Sequence, residues 1–124
     1  MLIRKINILI VEDEILTATC IKTVLLQMGY EVTSIVDSGE EAIQKAEQEH
    51  PDIILMDIKI KGNLDGIEAA KTIYAKHKIP FIYLTSFSNS PTRKRADATN
   101  PFGYVLKPFN EKQLQKTIEK ALAI

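Results

Sequence analysis

Ile53-Ile54-Leu55-Met56-Asp57 is four apolar residues closed by a carboxylate. A run this short and this continuous reads as a strand covered on both faces, the habit of a parallel sheet, because a half-buried strand would alternate apolar with polar. The same texture appears from Ile6 to Val11 and from Phe81 to Thr85, and two further β-type runs extend from Glu31 to Val36 and from Gly103 to Leu106. The segments between them have helical period. Ile15, Ala18, Ile21, Val24, Leu25 and Met28 share one face and stop before Gly29, a residue suited to the position past a helix end. Ser38, with Glu41 three residues on, makes a capping box ahead of the stripe Ala42, Ile43, Ala46. Ile67, Ala70, Ile73 and Tyr74 mark a third helix. Ser90-Pro91 sets a capping residue before a first-turn proline to open a fourth, and Asn110 caps a fifth with Leu114, Ile118, Ala121 and Leu122 inside. The rhythm is (βα)5. Short right-handed connections turn it into an α/β fold, an open, doubly wound parallel sheet whose ligand crevice lies outside the carboxyl ends of the strands.

Composition agrees with a globular chain. The 124 residues are 45% hydrophobic, which predicts one domain over 1–124 with a core that needs neither metal nor disulfide staples. Cys20 is the only cysteine, so no internal disulfide or paired-cysteine metal motif exists, and it is expected as a small buried filler. The longest apolar runs are strand-sized and no signal-peptide pattern precedes them, so a soluble, cytoplasmic protein without membrane insertion is expected. Lys and Arg total 16 against 16 Asp and Glu, which argues against direct, nonspecific nucleic-acid binding. The balance is uneven: residues 1–57 hold 4 bases and 11 acids, a net of −7, and residues 58–124 hold 12 bases and 5 acids, a net of +7. His50 and His77, near element ends, read as surface residues.

The strand ends supply the chemistry. The first ends in Glu12-Asp13, the third in Asp57, the fourth in Thr85-Ser86 and the fifth in Lys107-Pro108, so three carboxylates, a hydroxyl and an ammonium converge on one crevice. Like charges this close repel by about 1–4 kcal/mol per contact at surface-like dielectric, and a divalent cation with Lys107 offsets them. All-oxygen ligands suit Mg²⁺, with Mn²⁺ as a substitute. A cation so placed organises phosphoryl transfer onto an aspartate, a reaction that needs alignment and charge neutralisation above all. Taken singly, Asp13 reads equally well as a helix cap, Lys107 as a solvated lysine and Thr85 as structural, whereas Asp57, directly after four apolar residues, already stands apart from an ordinary turn acid. Their conjunction at four successive strand ends favours a site. No glycine-rich nucleotide-binding segment is present.

The acidic pair in Ile-Leu-Ile-Val-Glu-Asp-Glu (8–14), Asp57 after Ile-Ile-Leu-Met, Asp65-Gly66, Thr85-Ser86 and Tyr104-Val105-Leu106-Lys107-Pro108-Phe109 together resemble the response-regulator receiver domain of two-component signalling, from Lys5 to Ala123. The resemblance implies a CheY-like, flavodoxin-like five-stranded parallel sheet of order 2-1-3-4-5. It implies that Asp57 is phosphorylated by a sensor histidine kinase or phosphotransfer protein, and that Glu12, Asp13, Asp57 and the backbone carbonyl of Lys59 hold Mg²⁺. Lys107 would contact the phosphoryl group, Thr85 would bond to it and report it, and Tyr104 would be the aromatic switch. By the same resemblance, Lys59 and Phe87 would border the site and tune hydrolysis. The readout would be the surface of the fourth helix, fifth strand and fifth helix, presented to a downstream effector or to a second copy of the domain. Such a protein is a switch and not an enzyme acting on a separate substrate.

Two departures from the family pattern stand out. The segment Ile-Lys-Ile-Lys-Gly-Asn-Leu between Asp57 and Asp65-Gly66 is one residue longer than the usual spacing, with Lys61 where proline is common. Asn100-Pro101 replaces a more frequent small pair, which stiffens the exit of the fourth helix. The base-rich half puts Arg93, Lys94, Lys112 and Lys116 on the fourth and fifth helices, a basic output face for an acidic partner. A phosphorylation-independent interaction module with this fold is the main rival; an incomplete acidic set would favour it. An aspartyl phosphohydrolase is disfavoured because Lys59 stands where that class has a second aspartate.

Overall fold

The computed structural model describes residues 4–86 and 90–124, and in them strands and helices alternate as the periodicity predicts. The strands are β1 (Asn7–Val11), β2 (Glu31–Val36), β3 (Ile53–Asp57), β4 (Phe81–Thr85) and β5 (Tyr104–Leu106); the helices are α1 (Ile15–Gln27), α2 (Gly39–Glu49), α3 (Gly66–His77), α4 (Ser90–Ala98) and α5 (Glu111–Leu122). The strands pair in parallel in the order β2-β1-β3-β4-β5. The first and last strands begin one residue later than their apolar runs do. Gly103 still meets the ladder, since its carbonyl accepts the Tyr83 N–H at 3.1 Å.

The central strands are buried on both sides, yet they keep a period of two. Leu9, Val11, Ile54, Met56, Phe81 and Tyr83 point into one core with residues of α2, α3 and α4; Ile8, Ile10, Ile53, Leu55, Ile82 and Leu84 point into the other with residues of α1 and α5. Each such side chain is worth about 1.5–3 kcal/mol when removed from water. A dozen of them easily outweigh a few crowded charges at the strand ends. Two predicted caps form, the Ser38 hydroxyl accepting the Glu41 N–H at 3.2 Å and Asn110 accepting that of Gln113 at 3.1 Å, and Asp65 adds a third by accepting that of Glu68 at 2.9 Å.

Three expectations need correction, and one alternative reading falls away. Cys20 is exposed. It lies two residues, or about 200°, around the helix from Ala18, outside the arc of Ala18, Ile21 and Leu25 that faces the sheet. Ile15 is 81% exposed, as is its neighbour Leu16 at 82%, so the buried stripe of α1 starts at Ala18. Ser90 is already the first residue of α4, so it does not stand in the flanking cap position. Asp13 is not a helix cap, because Glu14 occupies that position in α1. Phe87 lies outside the described residues.

Candidate functional site

The chain winds from β1 outward to β2 and then crosses to β3 on the other side, so the strand order reverses between β1 and β3. That is the topological switch point of a doubly wound sheet, where the loops diverge and leave a crevice. Glu12 and Asp13 leave β1 there and Asp57 closes β3. Thr85 from β4 and Lys107 from the end of β5 join them. All five, with Lys59, Ser86 and Thr92, line a cleft of about 300 Å³.

Ligand-capable oxygens of Glu12, Asp13 and Asp57 lie within 4.8 Å of one another. Glu12 and Asp57 are only 2% and 6% exposed, whereas Asp13 is open to solvent. The Lys107 ammonium sits between the two buried carboxylates, 2.6 Å from Glu12 Oε1 and 2.8 Å from Asp57 Oδ2. Main-chain N–H groups supply the rest: Glu14 donates to Glu12 Oε2 and Lys59 donates to Asp57 Oδ1, both at 3.1 Å. Glu12 Oε1 is fully buried and has no aligned hydrogen bond, its approach to Lys107 being that of an ion pair. Burial pushes the Glu12 carboxyl above its usual range, and the hydrogen bond and charge of Asp57 add to the rise against the pull of Lys107. For Lys107 burial works the other way, but Asp57 and Glu12 overcome it and hold the ammonium above its usual range.

Within the cluster, one ammonium faces three carboxylates, an excess of acidic groups over basic ones. Oxygens sharing an octahedral shell stand about 3–4 Å apart, so three carboxylates clustered this closely, one with a buried, unaligned oxygen, fit a small hard cation. The lysine between them is placed to meet an anion. The sequence profile of the "Response regulator receiver domain" matches residues 8–119, and these site residues fall within that span.

The chain belongs to the response regulator receiver domain family.

This receiver is 36% identical over 117 residues to the transcriptional regulatory protein PdtaR of Mycobacterium tuberculosis, an alignment that covers 94% of this chain and 57% of that protein. The chain thus spans little more than half the length of that relative. Among solved structures, the signal receiver domain of a modulated diguanylate cyclase from Desulfovibrio desulfuricans superposes with a TM-score of 0.92 at 40% identity, covering 97% of this chain and 95% of that one. The receiver domain of a Pseudomonas aeruginosa sensor histidine kinase, solved with a magnesium ion coordinated in its active-site cleft, superposes at 0.87 with 31% identity, covering 98% of this chain and 100% of that one. No helix among the described residues of the receiver is long and apolar enough to cross a membrane.

The remaining sequence-predicted residues lie away from the cleft. Tyr104 is half-buried; its hydroxyl donates to Asp97 of α4, its ring lies 5.9 Å from that of Tyr83, and the Arg93 guanidinium stands 5.1 Å over it. Burial first, and then the hydrogen bond to Asp97, push the phenol well above its usual range. Asp97 escaped the sequence reading because nothing in spacing or type sets it apart from an ordinary helix-surface acid. Arg93 and Lys94 on α4, and Lys112 and Lys116 on α5, are all exposed, and Leu106 on β5 between the two helices is half-exposed. His50 and His77 do lie at the surface ends of α2 and α3, where their rings meet edge to face at 5.5 Å. The Lys107–Pro108 peptide bond is cis.

Proposed function

We propose that this receiver takes a phosphoryl group onto Asp57 from the phosphohistidine of a sensor kinase or phosphotransfer protein, and signals by reshaping the α4–β5–α5 surface. The observation that carries this reading is the buried Asp57 carboxylate, held by Lys107 and the Lys59 N–H within a cluster of two further carboxylates. In the transfer a bond forms between an Asp57 carboxylate oxygen and phosphorus as the nitrogen–phosphorus bond breaks. The imidazole leaves neutral, its other ring nitrogen keeping the proton. Glu12, Asp13, Asp57 and the Lys59 carbonyl would hold Mg²⁺, or Mn²⁺ in its place. When bound, the cation neutralises the charge that builds on the phosphoryl oxygens and orients them.

Lys107 is already at the site and needs only to turn from the carboxylates to a phosphoryl oxygen. The Thr85 hydroxyl, at the end of β4, offers the new anion a donor. Phosphorylation adds about −1.5 to −2 charge and three acceptors, enough to draw in a hydroxyl and an ammonium and to bias a two-state loop. Tyr104 would then exchange its Asp97 bond for a deeper position, which alters how α4 sits. That helix suits the task, because Ala96 is its only buried residue among those described.

The chemistry is confined to the protein's own carboxylate, so the receiver acts as a switch and not on a separate substrate. Ile15 and Leu16 stand exposed at the start of α1 and offer an apolar foothold to the donor, a kinase or phosphotransfer protein met in the cytoplasm. Arg93, Lys94, Lys112 and Lys116 around Leu106 suit an acidic effector.

Incubation with Mg²⁺ and acetyl phosphate is expected to give an acid-stable, hydroxylamine-labile adduct on the wild type and none on Asp57→Asn. Normal labelling of Asp57→Asn would overturn the assignment.

A further inference from the structure

The loop of residues 58–65 carries Lys59 and is the longer segment noted in the sequence. Its base is closed by the Gly66 N–H, which donates to the Ile58 carbonyl at 2.8 Å. Only glycine fits there, since a Cβ on Gly66 would stand 1.9 Å from the Asp57 carbonyl oxygen. Its tip is held from outside the loop. Lys61 forms an isolated parallel bridge with Ser38, and its ammonium lies 2.7 Å from Asp37 Oδ2. Glu40 Oε1 accepts the Leu64 N–H at 3.1 Å. Gly62 passes beneath the same carboxylate at φ +100°, where a Cβ would come within 2.7 Å of Glu40 Oε2. The contacts fall on Asp37, Ser38 and Glu40, within the turn between β2 and α2 and the first turn of α2.

We infer that Asp37 and Glu40 are positioning residues of the phosphoacceptor site: with Lys61 and Gly62 they clamp the loop tip to the start of α2 and thereby fix the main chain at Lys59. The inference rests on the proposed reading that Lys59 completes the oxygen set of Glu12, Asp13 and Asp57. The extra residue gives the physical reason. A longer loop has more conformations to lose, and a lysine leaves the chain freer than the proline that is common at this position, so the lost stiffness is recovered by outside contacts. The Asp37–Lys61 pair is open to solvent, its side chains 41% and 63% exposed, and weak on its own. Together with the Glu40 bond and the tight passage of Gly62 it defines a single loop path.

The sign of one substitution separates a clamp from mere surface charge. The Lys61 ammonium is raised chiefly by its hydrogen bond to Asp37, with Glu41 and Asp13 adding to it, so it stands within electrostatic reach of the acidic cluster. By charge alone, removal of this cation would tighten the binding of Mg²⁺. As part of a clamp, its removal weakens binding.

The test is Mg²⁺ affinity of the full chain, measured by calorimetric titration and by amide shifts at residues 57–66. Lys61→Met and Glu40→Ala are each expected to weaken affinity about three- to tenfold, at or just below the lower end of what outer-sphere residues give. Gly62→Ala should weaken it at least as much, and Glu40→Gln, which keeps the acceptor, should stay within about twofold of wild type. Lys76→Met, at the distant Glu47 pair, should leave it unchanged. Unchanged or tighter binding in Lys61→Met, or unchanged binding in Gly62→Ala, would overturn the clamp. A wild type that binds no Mg²⁺ would instead overturn the reading of the site itself.

Discussion

β3 is bracketed by two aspartates, and they live in opposite surroundings. Asp52, at the amino end, accepts both fork nitrogens of Arg4 at 2.9 and 2.7 Å and the Asn7 N–H at 2.7 Å. The Arg4 bonds, with the Asn7 N–H helping against partial burial, hold its carboxyl below the usual range. Asp57, at the carboxyl end, shares one lysine with Glu12 and has two more carboxylates within 4.8 Å. One residue type at the two ends of one strand thus gives a satisfied joint and an unsatisfied cluster. The joint ties the chain ahead of β1 to the start of β3 and asks nothing of a ligand. The cluster keeps an excess of negative charge that a bound cation would offset.

The contrast is open to test from its larger consequences to its smaller ones. Asp52→Ala leaves the part-buried Asn7 N–H unpaired and should cost about 1–3 kcal/mol in denaturant unfolding. Labelling of Asp57, roughly 16 Å of strand away, should not change. Because the Asp52 carboxyl is lowered from its ordinary 3.8, its contribution is present above that value and is lost as pH falls through the lowered one. Wild type and variant should therefore converge in strong acid; a constant gap would mean that Asp52 acts by packing alone.

Next comes the cation. At tenfold excess over its dissociation constant, Mg²⁺ should stabilise the wild type by about 1.4 kcal/mol, read as a rise in Tm. Asp52→Ala should keep that gain and Asp13→Asn should lose most of it. Equal gains in both would break the contrast. The smallest effect belongs to the basic face: Lys94→Glu with Lys116→Glu should change stability by less than about 0.5 kcal/mol per site, while weakening capture of an acidic effector. Arg93 is better left in place, since it also stacks on Tyr104.

Much of this was legible in the chain. The continuous runs at Ile8–Val11, Ile53–Met56 and Phe81–Leu84 specified strands covered on both faces, and the residues that close them named the cleft. Asn110 and Ser38 announced their helices because a cap needs only a local oxygen at a fixed spacing. Cys20 was misjudged because burial of a helical residue depends on an angle to the sheet that a lone cysteine does not reveal. Ile15 was misjudged because periodicity says which face a residue is on and not how far the sheet extends beneath it.

By itself, then, the sequence determined the order of elements, the two-sided core and the acids, hydroxyl and lysine at the strand ends, all of which are encoded by short-range pattern. Tertiary structure decided the pairings of those groups. Lys107 lies between Glu12 and Asp57, Tyr104 reaches Asp97, Arg4 grips Asp52, and Asp37 and Glu40 hold the loop beyond Lys59. Several of these pairs are tens of residues apart in the chain, and charge and hydrogen bonding act over a few ångströms of space, so only the folded sheet selects which of the many possible partners meet.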